Sequence, residues 1–347
     1  MNIEKANRFK NLLSVPTKTY REEMMIDYVV NFLTKIPNVN FETDHMGNIY
    51  VTKGVLDQGE YYPMFIAHTD TVHDIQKEIV VKDEFLSKPT TFGKSFGNQT
   101  YASYKAYTTG GLPTGIGGDD KCGIFLCLEL LMELPKVKIG LFVSEETGCH
   151  GSQQCDEEFL KDVGYAIQFD APGNHLITEV CSGVRLFDRD GEFINKIIPV
   201  FTKYMKTDPM LQSHPYTDVS QIKRKGDFSC INLSCGYYNM HSVQEFVVLE
   251  DVENAFYMAK EIVNRLGYVK YDFEYRNPMS SSFFDLFQNN EEDNSDDELD
   301  EYEVDMYYMG NNLVIENELT GDGVTLSPND IDRLLDLIEE RFVDYEE

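Results

Sequence analysis

Five short segments of this chain carry side chains that ligate metals or move protons. They are His68-Thr69-Asp70, then Asp119-Asp120-Lys121 after two glycines, Glu145-Glu146, Asp170 and His241-Ser242. Four of the five adjoin strand-like apolar runs, such as Met64-Phe65-Ile66-Ala67 and Gly140-Leu141-Phe142-Val143. Zinc takes imidazole nitrogen and carboxylate oxygen, and a catalytic site leaves one position open. Two histidines and several carboxylates thus suit two zinc ions that share one bridging acid. Two metals about 3.5–4 Å apart can polarise a carbonyl and activate water together. In an extended segment the side chains at 68 and 70 share one side, so Asp70 can accept the spare imidazole N–H of His68 and fix its tautomer. Glu145 and Glu146 are adjacent and point different ways, so one can bind metal while the other serves as general base. Each piece alone is weak. A lone His-x-Asp is more often a capped or surface histidine, Glu-Glu a solvated strand end, and Asp-Asp-Lys after glycines a turn. The ordered series is what points to a metal-dependent hydrolase.

The elements that must position these residues follow an α/β pattern. Helices are expected at 3–13, 20–35, 122–134, 155–161, 192–206 and 250–266, and strands near 48–52, 63–67, 137–143, 164–169, 176–180 and 228–234. Their alternation predicts a mainly parallel central sheet with helices on both faces, in three layers. The candidate residues fall at strand C-termini, where open α/β sheets gather ligands. The long stretch 72–112 reads as a hairpin or loop over the cleft. The division expected is a catalytic domain over 1–267, an acidic linker over 268–303 and a small β/α appendage over 304–347. In the appendage, Val304 to Leu319 reads as a hairpin around Gly310-Asn311-Asn312, and Ser327-Pro328-Asn329-Asp330 caps a helix through Phe342.

Composition narrows the setting. The chain has 347 residues, 42% of them apolar, enough for a sizeable core. No run of 18 apolar residues occurs, so no spanning helix and no membrane partner are expected. The first residues lack an apolar signal core, and the seven cysteines include no Cys-x-x-Cys pair, which suits a reducing, cytoplasmic compartment. A net charge of −30 argues against nucleic acid as partner, because phosphate binding needs clustered Lys and Arg. No Lys or Arg occurs between Arg276 and Arg333, and the acidic run 288–298 has too little apolar content to build a core.

Taken as a set, the motifs resemble the M20 zinc peptidases, and within them the tripeptidase (peptidase T-like) branch. The resemblance rests on His68-Thr69-Asp70-Thr71, Gly118-Asp119-Asp120-Lys121-Cys122-Gly123, Glu145-Glu146-Thr147-Gly148, Asp170 and His241-Ser242-Val243-Gln244-Glu245, and covers roughly 1–265. Asp44-x-x-Gly47-Asn48, Glu22-Glu23 and Tyr216-Thr217-Asp218-Val219 are similar too. The resemblance implies that His68, Asp119 and Asp170 hold one zinc, and Asp119, Glu146 and His241 the other. Asp119 is then the bridge, Glu145 the general base and Asp70 the partner of His68. In that family the peptide bond after the bridging Asp is often cis. Two Zn²⁺ per chain are implied, and Co²⁺ or Mn²⁺ would suit the same donors. The expected substrates are small peptides or, on the same scaffold, acylated amino acids. A non-catalytic binding relative has no need of Glu145. One departure is plain. M20 enzymes usually insert a lid or dimerisation domain between the equivalents of Asp170 and His241, yet here these are 71 positions apart. That interval reads as a strand, a turn at Ser182-Gly183 and a helix with an apolar stripe from Phe193 to Met205. The lidless plan is similar to M28 and M42 aminopeptidases.

Overall fold

The computed structural model describes residues 1–87, 100–205 and 208–274, and the backbone of three strands between 304 and 326. Its elements run α1 (Ile3–Leu13), α2 (Glu23–Leu33), β1 (Val39–Thr43), β2 (Ile49–Lys53), β3 (Tyr62–His68), β4 (Ile79–Ser87), β5 (Thr100–Thr108), β6 (Pro113–Thr114), α3 (Gly118–Glu133), β7 (Val137–Phe142), α4 (His150–Gln153), α5 (Glu157–Leu160) and β8 (Val163–Ala171). They continue with β9 (Leu176–Cys181), β10 (Val184–Arg185), α6 (Glu192–Tyr204), β11 (Met210–His214), α7 (Asp218–Lys225), β12 (Ser229–Ser234), β13 (Tyr237–Tyr238), β14 (Phe246–Val248), α8 (Leu249–Leu266), β15 (Val304–Met309), β16 (Asn312–Asn317) and β17 (Gly323–Leu326).

The largest sheet runs β1-β2-β7-β3-β8-β12-β9-β10, with β11 added beside β9. Its centre, β7-β3-β8-β12, is parallel, and antiparallel strands flank it. This is the α/β architecture expected, with a mixed, mainly parallel sheet. All seven residues of β3 and all nine of β8 are buried, the signature of strands covered on both faces. Helix α3 packs on β3, β7 and β8, whereas α7 packs on β3, β8 and β12. In α6 the buried residues Phe193, Ile194, Ile197, Val200 and Phe201 follow helical spacing and turn one stripe to the core. Asn2 caps α1 by accepting the Lys5 N–H. The packed unit continues past the expected boundary at 267. Tyr271 is buried and its ring meets Tyr165 and Phe193, and Phe228 forms a bridge with Asp272.

A second sheet, β13-β14-β5-β4 with β6, contains the described parts of 72–112. Strands β4 and β5 are an antiparallel pair in register from Ile79 opposite Thr108 to Ser87 opposite Thr100. Near the C-terminus β15, β16 and β17 form a three-stranded antiparallel sheet, one strand more than the expected hairpin. The acidic run 288–298 and the expected helix after Ser327 lie outside the described residues. All seven cysteines are buried free thiols. No described helix is long and apolar enough to cross a membrane.

Candidate metal centre

The expected residues sit at or near the ends of three central strands, at the start of α3 and in one loop of the second sheet. His68 ends β3, Asp170 lies near the end of β8, and Glu145 and Glu146 follow β7. Asp119 and Asp120 open α3, and the Asp119–Asp120 peptide bond is cis. His241 lies in the loop between β13 and β14, with a positive φ of 58°.

The fold brings all of them together. Asp119 presents Oδ1 to His68 Nε2 at 3.1 Å and Oδ2 to His241 Nε2 at 3.3 Å. His68 Nε2 also lies 3.8 Å from Asp170 Oδ1 and 4.0 Å from Glu145 Oε2. His241 Nε2 is 3.0 Å from Glu146 Oε2. Donors about 2.1 Å from a tetrahedral ion stand roughly 3.4 Å apart, so this spacing suits a cation between them. His68, Asp119 and Glu146 form one group of mutually close donor atoms, and His68, Asp120 and Asp170 another. Asp120, however, is already engaged through both oxygens, with the N–H groups of His68 at 3.2 Å and Gly123 at 2.9 Å. It pins the start of α3 to the end of β3. Glu146 Oε1 is buried and accepts no hydrogen bond among the described residues, a vacancy in hydrogen bonding that a cation would fill.

The supporting contacts explain why these side chains hold their places. His68 Nδ1 faces the Asp70 carbonyl at 3.1 Å and Asp70 Oδ1 at 3.3 Å, which leaves Nε2 for the donor cluster. Asp70 in turn accepts the hydroxyl of Thr19. Glu22 Oε1 accepts the Ser144 N–H at 3.1 Å, and Asn48 Oδ1 accepts that of Val143 at 3.1 Å. The N-terminal motifs thus brace the turn that presents Glu145 and Glu146. Sequence reasoning missed the holders of Asp170. Thr217 and Tyr237 donate their hydroxyls to its carboxylate, and Asn232 binds its backbone N–H and carbonyl. Thr217 lies in a segment singled out by similarity, but nothing in the sequence marks Tyr237 or Asn232. Lys121, two positions after Asp119, donates to the carbonyls of Leu13 and Ile116.

Electrostatics match a site built for cations. Burial, with the charges of Asp170, Asp218 and Glu146, pushes Glu145 well above the usual carboxylate range. Burial likewise pushes Asp218 up to about 8. Burial opposes the charge on Asp119, but its contacts with His241 and His68 hold its carboxyl well below the usual range. Asp119 and Glu146 push His241 up to about 10. The carboxylates of the cluster outnumber its two imidazoles, and divalent ions would balance the excess negative charge.

A cavity of about 320 Å³ opens onto Asp119, Glu145, Glu146, Asp170 and His241. Its other walls come from 212–216, at the end of β11, with Leu176, Tyr237 and Met240. No described residue of 72–112 lines it. The cover expected from that stretch is therefore not found among the described residues, because β5 is committed to pairing with β14 and β4 lies beyond it. Tyr216 secures the wall by donating its hydroxyl to the Glu146 carbonyl. A larger cavity, about 530 Å³, is bounded by Tyr20, Glu22, His45, Ser144 and His150, and none of the donor atoms reaches it.

No protein-family profile matches the chain, and no curated protein matches it by sequence. Solved structures do resemble it in fold. Aminopeptidase PepT from Bacillus cereus superposes with a TM-score of 0.61 at 15% identity, over 77% of this chain and 99% of that one. A tripeptidase from Staphylococcus aureus gives 0.55 at 13% identity, over 75% and 96%. An aminopeptidase from the archaeon Desulfurococcus kamchatkensis gives 0.53 at 17% identity, over 76% and 95%. The chain therefore has the fold of these peptidases and a buried His/Asp/Glu cluster of metal-binding character at the C-terminal ends of its central strands.

Proposed function

We propose that this chain is a di-zinc peptidase acting on small peptides, releasing N-terminal residues, and related to the tripeptidase branch of the M20 zinc peptidases. His68, Asp119 and Asp170 would hold one ion, and Asp119, Glu146 and His241 the other. The observation that carries the reading is the divided carboxylate of Asp119, one oxygen toward each histidine. When bound, two zinc ions polarise the scissile carbonyl and ease ionisation of the attacking water. Glu145 takes the proton from that water and later passes it to the leaving amine. Burial favours its protonated form between these steps, and nearby cations favour the ionised form that starts them. Asp70 keeps His68 in the tautomer that offers Nε2.

Charge favours a substrate with a free amino end. Four carboxylates line the cavity, and no Lys or Arg does so among the described residues. An α-ammonium is attracted there, whereas the carboxylate of an N-acyl amino acid finds no cation apart from the metals. The net charge of −30 acts in the same sense at long range. Seven buried thiols suit a reducing, cytoplasmic setting.

The test is metal analysis of the purified protein joined to a substrate screen. Two equivalents of zinc and cleavage of unblocked di- and tripeptides are expected. Hydrolysis of N-acetyl amino acids in preference to unblocked peptides would replace this reading with an amidohydrolase. Failure to bind zinc, cobalt or manganese would remove it altogether.

A further inference from the structure

Glu245 follows His241 by four positions in a motif whose histidine alone has so far been given a task. Its side chain is fully buried, just before β14, and does not reach the cavity. Oε1 accepts the N–H of Asp119 at 3.1 Å, and Oε2 accepts that of Gly117 at 2.8 Å. Oε2 is also 2.7 Å from His73 Nε2. One carboxylate therefore grips the backbone on both sides of Gly118, in the turn that delivers Asp119.

The surroundings leave that turn little freedom. Gly117 has a φ of +65°, and a Cβ on Gly118 would meet Tyr237 Cβ and Val247 Cγ1 at 2.7 Å. Tyr237 and Val247 are themselves a register pair of β13 and β14, the strands that flank the His241 loop. The imidazole of His73 lies flush on Gly115, where a Cβ would fall 2.1 Å from the ring. His73 is thus wedged between that glycine and Glu245.

We propose that Glu245 is a positioning residue for the Asp119 carboxylate: by gripping the N–H groups of Gly117 and Asp119 from the His241 loop, it sets the span between Asp119 and His241, and His73 holds Glu245 in place. The proposal rests on the reading of Asp119 as the bridge. Glu245 touches neither substrate nor metal and acts only through the turn.

The test uses the full chain with Glu245→Gln, His73→Ala and, as a control, Val243→Ala, an exposed position in the same loop. A glutamine can accept at one position only, so one backbone N–H loses its partner. In metal-free protein, amide exchange of the peptide spanning 116–121 should quicken in Glu245→Gln and stay unchanged in Val243→Ala. Competition with a chelator should show both zinc affinities falling together by about 10–100-fold, the range for groups that orient ligands. The visible spectrum of the cobalt-loaded protein should change, and kcat should fall with KM held. His73→Ala should move all four readouts the same way by less. Unaltered affinities and spectrum with only a lower melting temperature would overturn the proposal, as would weakening of one ion alone. If Glu245→Gln does not fold, unaltered zinc affinity in His73→Ala overturns it. A wild-type protein that binds neither zinc nor cobalt refutes the metal reading instead, and the exchange measurement still decides whether Glu245 holds the turn.

Discussion

Oδ1 of Asp70 accepts the backbone N–H of Glu145 at 3.0 Å. Its Oδ2 accepts that of Glu146 at 3.2 Å, and Oδ1 also faces His68 Nδ1 at 3.3 Å. One buried acid thus orients an imidazole and the turn that carries two glutamates. Asp70→Asn keeps the shape but replaces one acceptor with a donor, so at least one of these groups loses its partner. Zinc affinity should drop by about 10–100-fold, and kcat with it, while the fold persists. Chelator competition and circular dichroism check this. Undiminished affinity would mean that Asp70 serves the fold alone.

Glu145→Gln preserves size and cannot take a proton at neutral pH. Turnover should fall by about 10²–10⁴-fold with metal content retained, as expected for loss of a general base. Activity within a few-fold of wild type would assign the proton transfer to another group.

Asp119→Ala removes a donor from both proposed zinc sites and the negative charge between two cations. Metal analysis should find both ions lost together. Full occupancy of either would show that Asp119 is not shared.

Protons compete with metal at His241. Its imidazole is raised to about 10, chiefly by hydrogen bonding to Asp119 and then Glu146. At pH 7 the metal-free protein therefore carries a proton that zinc must displace. Affinity should rise by about tenfold per pH unit for each proton released, from pH 6 to 9. Calorimetry in buffers of different ionisation enthalpy counts the protons. The same shift bears on the metal-free fold. A pKa raised above 6.5 contributes stability that is full below that pH and lost as pH rises through 10. Affinity independent of pH would contradict a protonated His241.

What could be read in the sequence and what could not divide along physical lines. The mostly apolar runs of β3 and β8, broken in β8 by Gln168, announce buried parallel strands, and His68 and Asp170 stand at or near their ends. By contrast β5 alternates irregularly between exposed and buried, because it pairs on both sides while meeting solvent in part. Helix α7 is short and polar, and it buries Asp218 and Lys223, which defeats an apolar pattern. The grip of Tyr237 on Asp170 joins residues 67 positions apart, and no spacing rule foretells it.

The proposed donors His68, Asp119, Glu146, Asp170 and His241 come from five separate stretches, on strand ends, the start of α3 and the β13–β14 loop, that meet only in the folded chain. No short peptide of this chain can chelate an ion in their manner. Zinc would therefore act late in folding, as a lock on the assembled molecule rather than a seed for it. Refolding rates measured with and without zinc should coincide, because the ion has no grip on the transition state. Unfolding, which must break that grip, should slow as zinc is added.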